Sequence, residues 1–197
     1  MDRREAVELL SALPFLGSLP LSATAARRGA RFVRELRAEA GAAQAYSPKF
    51  FTAHEWQTVR LLVDLVLPKD PRSGSATDAG VPEFMDFILV EYPDNQLWMR
   101  GGLAWLDTES HRRFATTFVD ADQAQRTKVL DDIAWPAKAP PGLHHGVEFF
   151  NRFRDLTASG FFSSEMGVAD IRYEGNTFVE WRGCPPEQLQ KLGVRYP

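Results

Sequence analysis

Apolar residues recur at helical spacing through most of this chain. Trp56, Val59, Leu62, Val63 and Val66 share one face of a helix. Thr52-Ala-His-Glu55 opens that helix as a capping box, the threonine hydroxyl and the glutamate each taking one unpaired backbone N–H. Pro68 ends it, and Lys69 to Gly80 is a loop by composition. Pro82 suits a first helical position, and Phe84, Phe87, Ile88 and Glu91 continue that helix to Pro93. Gln96 to Arg113 forms a third helix, with Leu97, Trp98, Leu103, Trp105 and Leu106 expected inward. Asp120 and Gln123 pair as a cap before a fourth, whose apolar face is Ala124, Val129, Leu130 and Ile133 and whose stop is Pro136. A Pro-rich turn from Lys138 to Gly142 leads to a fifth, Gly146 to Phe161, carrying Val147, Phe149, Phe150, Phe153 and Leu156. Helix signals then thin out from Ser163 to Gly183. Asn176 to Trp181 has the makings of one short strand at most, and Pro185 to Leu192 of one last short helix. The pattern predicts an all-α fold: one domain of five or six helices with an irregular C-terminal arm.

The N-terminal segment differs from the rest. Arg3-Arg4 precedes an uncharged run from Leu9 to Ala26, which is followed by Arg27-Arg28. A basic start, an apolar stretch and an Ala-x-Ala site, here Ala23-Thr24-Ala25, are the parts of an export signal. Paired arginines point to the twin-arginine route, which carries folded proteins. Glu5 and Glu8 depart from that pattern, and Pro14, Gly17 and Pro20 interrupt the apolar run, which argues against a membrane-spanning helix. The other reading is an amphipathic N-terminal helix that stays attached and packs on a partner. Ala30 to Ala40 is helix material, with Phe32, Val33 and Leu36 on one side and Arg31, Arg34 and Arg37 around the rest. It is expected to be solvated, leading out of the signal. A basic amphipathic helix of this kind is also the mark of a membrane-surface protein.

Composition places a boundary near Tyr46. Residues 1–45 hold seven Arg against five Asp/Glu, and residues 46–197 hold sixteen Lys/Arg against twenty-one Asp/Glu. Only Phe15 and Phe32, of twenty-three aromatics, lie in the first segment. The expected organisation is a signal and basic helix over 1–45, a helical core over 46–162 and an arm over 163–197. With 44% apolar and 25% charged residues, the 197-residue chain is an ordinary globular protein. One cysteine excludes an internal disulfide framework. A net charge of −3 and a pI near 5.8 argue against nucleic-acid binding.

Motifs that carry chemistry are scarce. The chain has no G-x-G-x-x-G, phosphate loop, H-E-x-x-H or C-x-x-C-H. His54, His111, His144 and His145 make no i, i+4 pair, and the adjacent His144 and His145 would point apart on a regular element. Asp70, Ser73, Ser75, Thr77 and Asp78 offer oxygen ligands outside the calcium-loop register. Asp131-Asp132, Asp107 and Glu109 are expected to be exposed acidic positions. Cys184 lacks a signature base, so an inert thiol or an intermolecular contact is expected. No catalytic, cofactor-binding or metal-ligating residue is assigned. An independent small enzyme would have to use Asp, Glu or His in a helical pocket. The arm is different: Phe161, Phe162, Tyr173, Phe178 and Trp181, with Cys184, exceed what a short helical domain covers easily, and exposed apolar patches mark interfaces.

Several ordered motifs resemble one family. They are Met1-Asp-Arg-Arg-Glu-Ala, Phe51-Thr-Ala-His-Glu-Trp56, Ala79-Gly-Val-Pro-Glu-Phe84, Gly102-Leu-Ala-Trp-Leu-Asp107 and Leu130-Asp-Asp-Ile-Ala-Trp135. Phe149-Phe150, Arg154-Asp155-Leu156-Thr157, Gly160-Phe161-Phe162-Ser163-Ser164, Tyr173-Glu-Gly-Asn176 and Trp181-Arg-Gly-Cys-Pro185 follow. Together they make the chain resemble the gluconate 2-dehydrogenase subunit 3 family. The resemblance implies a small, cofactor-free and non-catalytic subunit of a flavin-dependent dehydrogenase complex. In such complexes a glucose-methanol-choline (GMC) type flavoprotein carries FAD and oxidises a sugar, glycoside, polyol or sugar acid. A cytochrome c subunit with haem c often takes the electrons. The small subunit supports folding of the large one and carries the twin-arginine signal, here Arg3 and Arg4, to the periplasm or the periplasmic face of the inner membrane. The arm would then wrap the large subunit.

Overall fold

The computed structural model describes residues 21–40, 46–173 and 184–194. Among them are eight α-helices and no strand. They are α1 (Ala23–Ala40), α2 (Ala53–Val66), α3 (Val81–Glu91), α4 (Gln96–Phe114), α5 (Gln123–Ala134), α6 (His144–Ser163), α7 (Glu165–Asp170) and α8 (Pro186–Leu192). The strand considered at Asn176 to Trp181 lies outside the described residues. The all-α expectation holds.

Helix α6 is the axis of the domain, and α1 to α5 and α7 all pack against it. The reason is the width of its apolar stripe. Phe149, Phe150, Phe153, Leu156 and Phe161 are buried, with Gly146, Thr157 and Gly160 between them. Small positions let neighbouring helices come close. A side chain at Gly102 of α4 would overlap the Phe149 ring of α6, and one at Gly146 of α6 would overlap the Trp105 ring of α4. The two helices thus exchange an aromatic for a glycine twice. Phe84 of α3 is gripped in the same way: an added Cβ at Gly29 of α1 would lie 2.5 Å from its ring, and one at Gly160 of α6 would lie 2.8 Å away. Fully buried Leu62, Met85, Leu89, Met99, Leu106, Phe118 and Ile133 complete the core.

Local signals explain most helix ends. Thr52 and Glu55 form the expected capping box on α2. On α5 the box is formed by Asp122 and Gln125, two residues beyond the expected pair. Asp120 instead accepts from the Thr117 hydroxyl at 2.7 Å. The two D-x-x-Q registers overlap in sequence, and the one next to the apolar face caps the helix. Leu97, expected inward, is 85% exposed. The buried face of α4 runs through Met99, Leu103 and Leu106, and Leu97 lies on the opposite side. Residues expected to be irregular contain α7, capped by the Ser164 hydroxyl accepting from Gly167 N–H at 3.1 Å.

The largest departure is at the N-terminus. Helix α1 starts at Ala23, not near Ala30, and Ser22 accepts from the Ala25 N–H at 3.2 Å. It is not a solvated leader but a packed element, lying on α3 and α6. Ala25, Gly29 and Val33, four residues apart, form the contact line, and Phe32 stacks on Phe87 at 4.6 Å. The folded unit therefore begins ahead of Tyr46. Gly80 caps α3 in the left-handed region at φ 83°, with Val33 directly over it, so a side chain there is strained and obstructed.

Candidate functional site

The polar groups that could carry chemistry are mostly committed to the fold. Asp86 is fully buried on α3. It accepts from the Tyr46 hydroxyl at 2.8 Å and from three backbone N–H groups, Lys49 at 2.8 Å, Phe50 at 2.9 Å and Phe51 at 3.3 Å. This ties the segment entering α2 to α3. Burial, and then the Asp86 carboxylate, push the Tyr46 phenol well above its ordinary range. Arg100 holds the same corner, bonding both Glu55 oxygens at 2.8 and 3.0 Å and the Phe50 carbonyl at 2.8 Å while lying over the Phe50 ring. Burial also raises the Glu83 carboxyl, against the partial relief of Arg60 and Arg37.

Three acidic residues expected on the surface are structural. Glu109 is buried between Arg112 and Arg113, with contacts of 2.6 to 2.8 Å, and Arg113 passes on to Asp132 at 2.6 Å. The Arg112 hydrogen bonds, opposed by burial and reinforced by Arg113, hold the Glu109 carboxyl below its usual range. Asp107 accepts from Phe118 N–H at 2.9 Å and meets His54 Nε2 at 2.6 Å. Asp131 remains exposed, as expected. His144 and His145 do not point apart: their rings lie 3.8 Å apart because the pair begins α6 rather than sitting inside a regular element. In the 69–80 loop, Asp70 accepts from Arg72 and Ser73 N–H groups, Asp78 from Ser75 N–H and Asp64 from Thr77 N–H. Among the described residues no three His, Cys, Asp or Glu side chains are grouped to hold a metal ion.

Three arginines of α1 reach other parts of this domain, and a fourth pairs within the helix. Arg28 pairs with Glu91 at 3.3 Å, Arg31 with Glu35 at 2.7 Å and Arg34 with Glu165 at 3.4 Å, and Arg37 donates to the Asp78 carbonyl at 2.7 Å. Of the signal residues, Arg3 and Arg4 lie outside the described part, Ala23 is exposed and Ala25 is buried. No helix among the described residues is long and apolar enough to cross a membrane.

Among the described residues, four of the seven exposed large hydrophobic side chains lie toward the C-terminus. Tyr173 is 63% exposed and Leu192 70%, with Ile171 and Val194 also exposed. Helix α8 buries none of its residues. Cys184 is half-buried. Val90, Leu97 and Trp135 are exposed elsewhere. The expected anchors divide. Phe161 is a correction: it is fully buried, the last member of the α6 stripe, and presents nothing to a partner. Extending the 3.6-residue period of that helix from Phe153 and Thr157 would have placed it inside. Phe162 is half-buried, edge-on to Phe161 at 5.2 Å. Phe178 and Trp181 lie outside the described residues. Ile171, Leu192 and Val194 were missed because isolated aliphatic residues in a weakly patterned tail give no periodic signal.

The described residues form an all-helical domain in which several charged groups are paired with one another and four large apolar residues near the C-terminus are exposed. The family model described as Gluconate 2-dehydrogenase subunit 3 matches residues 53–183. The chain belongs to that family. No curated protein and no solved structure matches it. The family name describes one subunit of a multi-subunit dehydrogenase, so the chain is of the accessory-subunit type.

Proposed function

We propose that the chain is the non-catalytic small subunit of an FAD-dependent dehydrogenase complex acting on the CH–OH group of a sugar, glycoside, polyol or sugar acid. The observation that carries this reading is the family match over 53–183. The GMC-type large subunit binds FAD and substrate, and a cytochrome c subunit receives electrons. The small subunit supports folding and stability of the flavoprotein and, through Arg3 and Arg4, takes it across the membrane by the twin-arginine route. The exposed Ile171, Tyr173, Leu192 and Val194 support an apolar contact with that large subunit. Their clustering in the last part of the chain fits an arm that reaches a partner.

The test is affinity capture of the tagged chain from periplasm and membranes of its native host. A flavin absorbance spectrum and a co-eluting large flavoprotein are expected. A colourless chain eluting alone after gentle extraction overturns the proposal.

A further inference from the structure

An Ala-x-Ala motif is a processing site only if a protease can hold it. Proteolysis concentrates in exposed, poorly ordered backbone, and a bond inside a packed helix is reached only by local opening. Ala23-Thr24-Ala25 is the first turn of α1. Ala26 N–H, on the bond that would be cut, donates to the Ser22 carbonyl at 3.0 Å. Ala25 is 2% exposed, and Leu21 ahead of it already packs against the core. One turn further on, Gly29 lies against Phe84 and Arg28 reaches Glu91. The candidate site is thus stapled to α3 on its C-terminal side and capped on its N-terminal side.

We propose that α1 is a permanent part of the mature domain and that the Ala25–Ala26 bond is not a processing site. Any cut falls ahead of Leu21. The timing follows from the proposed twin-arginine export: a chain that folds before it crosses meets the peptidase with α1 already docked. The basic face of α1, Arg27, Arg28, Arg31, Arg34 and Arg37, then stays with the exported protein instead of marking a discarded leader's end.

Two arms test this separately from the export reading. In the first, the purified, folded full chain is incubated with signal peptidase in detergent and products are read by intact mass. Gly29→Val, which wedges α1 off Phe84 without touching the motif, is run beside it, with Phe32→Ala as a milder release should Gly29→Val unfold the chain. Circular dichroism reports the folded state of each. Cleavage at Ala25–Ala26 on the order of tenfold faster in the released variants is expected, as the open fraction rises. Equal rates, fast or slow, overturn the proposal, because packing would then not be what protects the bond. In the second arm, the periplasmic chain is isolated and its N-terminus determined. A start at or before Leu21 supports the proposal. A start at Ala26 overturns it and leaves export standing. A chain confined to the cytoplasm overturns the export reading, and the peptidase comparison then decides the proposal alone.

Discussion

Replacing Asp86 with alanine removes the acceptor for four donors at once. The Phe50 and Phe51 N–H groups are left in a buried corner, while the Lys49 N–H and the Tyr46 hydroxyl are half-buried and water can reach them. A buried donor stripped of its partner costs about 1–3 kcal/mol. Two such donors, with some relaxation of the segment, put the loss at about 3–5 kcal/mol. Asp86→Asn keeps one acceptor oxygen and turns an amide NH₂ toward the other donors, so about half that loss is expected. The assay is urea unfolding of the purified full chain followed by circular dichroism. The midpoint should fall strongly for Asp86→Ala with an unchanged slope, since the surface exposed on unfolding is the same. A loss below about 1 kcal/mol would refute the view that this carboxylate fastens the 46–51 segment to α3. Tyr46→Phe serves as the partial deletion and should cost about 1–2 kcal/mol.

Neighbouring glycines on α4 should respond in opposite directions. Gly102→Ala drives a methyl into the Phe149 ring and is expected to destabilise by about 1–3 kcal/mol, whereas Gly101→Ala faces open space and should stabilise by about 0.5–1 kcal/mol, both read from thermal or urea midpoints. The pH profile of stability should have two distinct limbs. Glu109 is depressed in the fold, so its contribution is complete above the unfolded value of ~4.3 and is lost as pH falls through the folded one. Tyr46 is raised, so its contribution is complete below the unfolded value of ~10 and is lost as pH rises beyond it. Glu109→Gln should flatten the acid limb and Tyr46→Phe the alkaline one in unfolding curves taken across pH. Phe161→Ala should weaken the isolated chain by about 3–5 kcal/mol through the cavity it leaves. Tyr173→Ala should leave isolated stability within about 0.5 kcal/mol and lower the yield of co-purified flavoprotein. A Tyr173→Ala chain that unfolds early while capturing partner normally would reverse that assignment.

The parts of this fold written in local pattern were legible. Apolar spacing located α2 to α6, and the Thr52 box placed a helix start to the residue. Interactions that join distant residues were not. Asp86 receives donors from 35 to 40 positions away, and nothing in the sequence around it marks it as buried. Glu109 and Asp107 looked like ordinary surface acids because their exposure is settled by α5, α2 and the Phe118 turn. The second half of α1, with Phe32 and Val33, is visible in the pattern, but its start and its packing are not. The first part of its contact line is Ala25 and Gly29, whose value lies in close approach, and a hydropathy pattern gives such positions no weight. Phe161 falls within the helix that the pattern predicts, yet the run of aromatics around it resembles an interface; its burial follows from the helical period it shares with Phe153 and Thr157. Of the C-terminal residues singled out in the sequence, Tyr173 is exposed, while the exposure of Ile171, Leu192 and Val194 has no signal in the pattern.

The grip on Phe84 sets an order of events during synthesis. Its ring is closed on one side by Gly29, near the start of the chain, and on the other by Gly160, far along it. Part of the surface on which α1 rests belongs to α6, so that berth is incomplete until residue 163 has left the ribosome. At ~5–20 residues per second, the N-terminal helix waits on the order of ten seconds after its own synthesis before its berth is complete. For that interval the front of the nascent chain stays available to whatever recognises it, and completion of the last long helix closes the window.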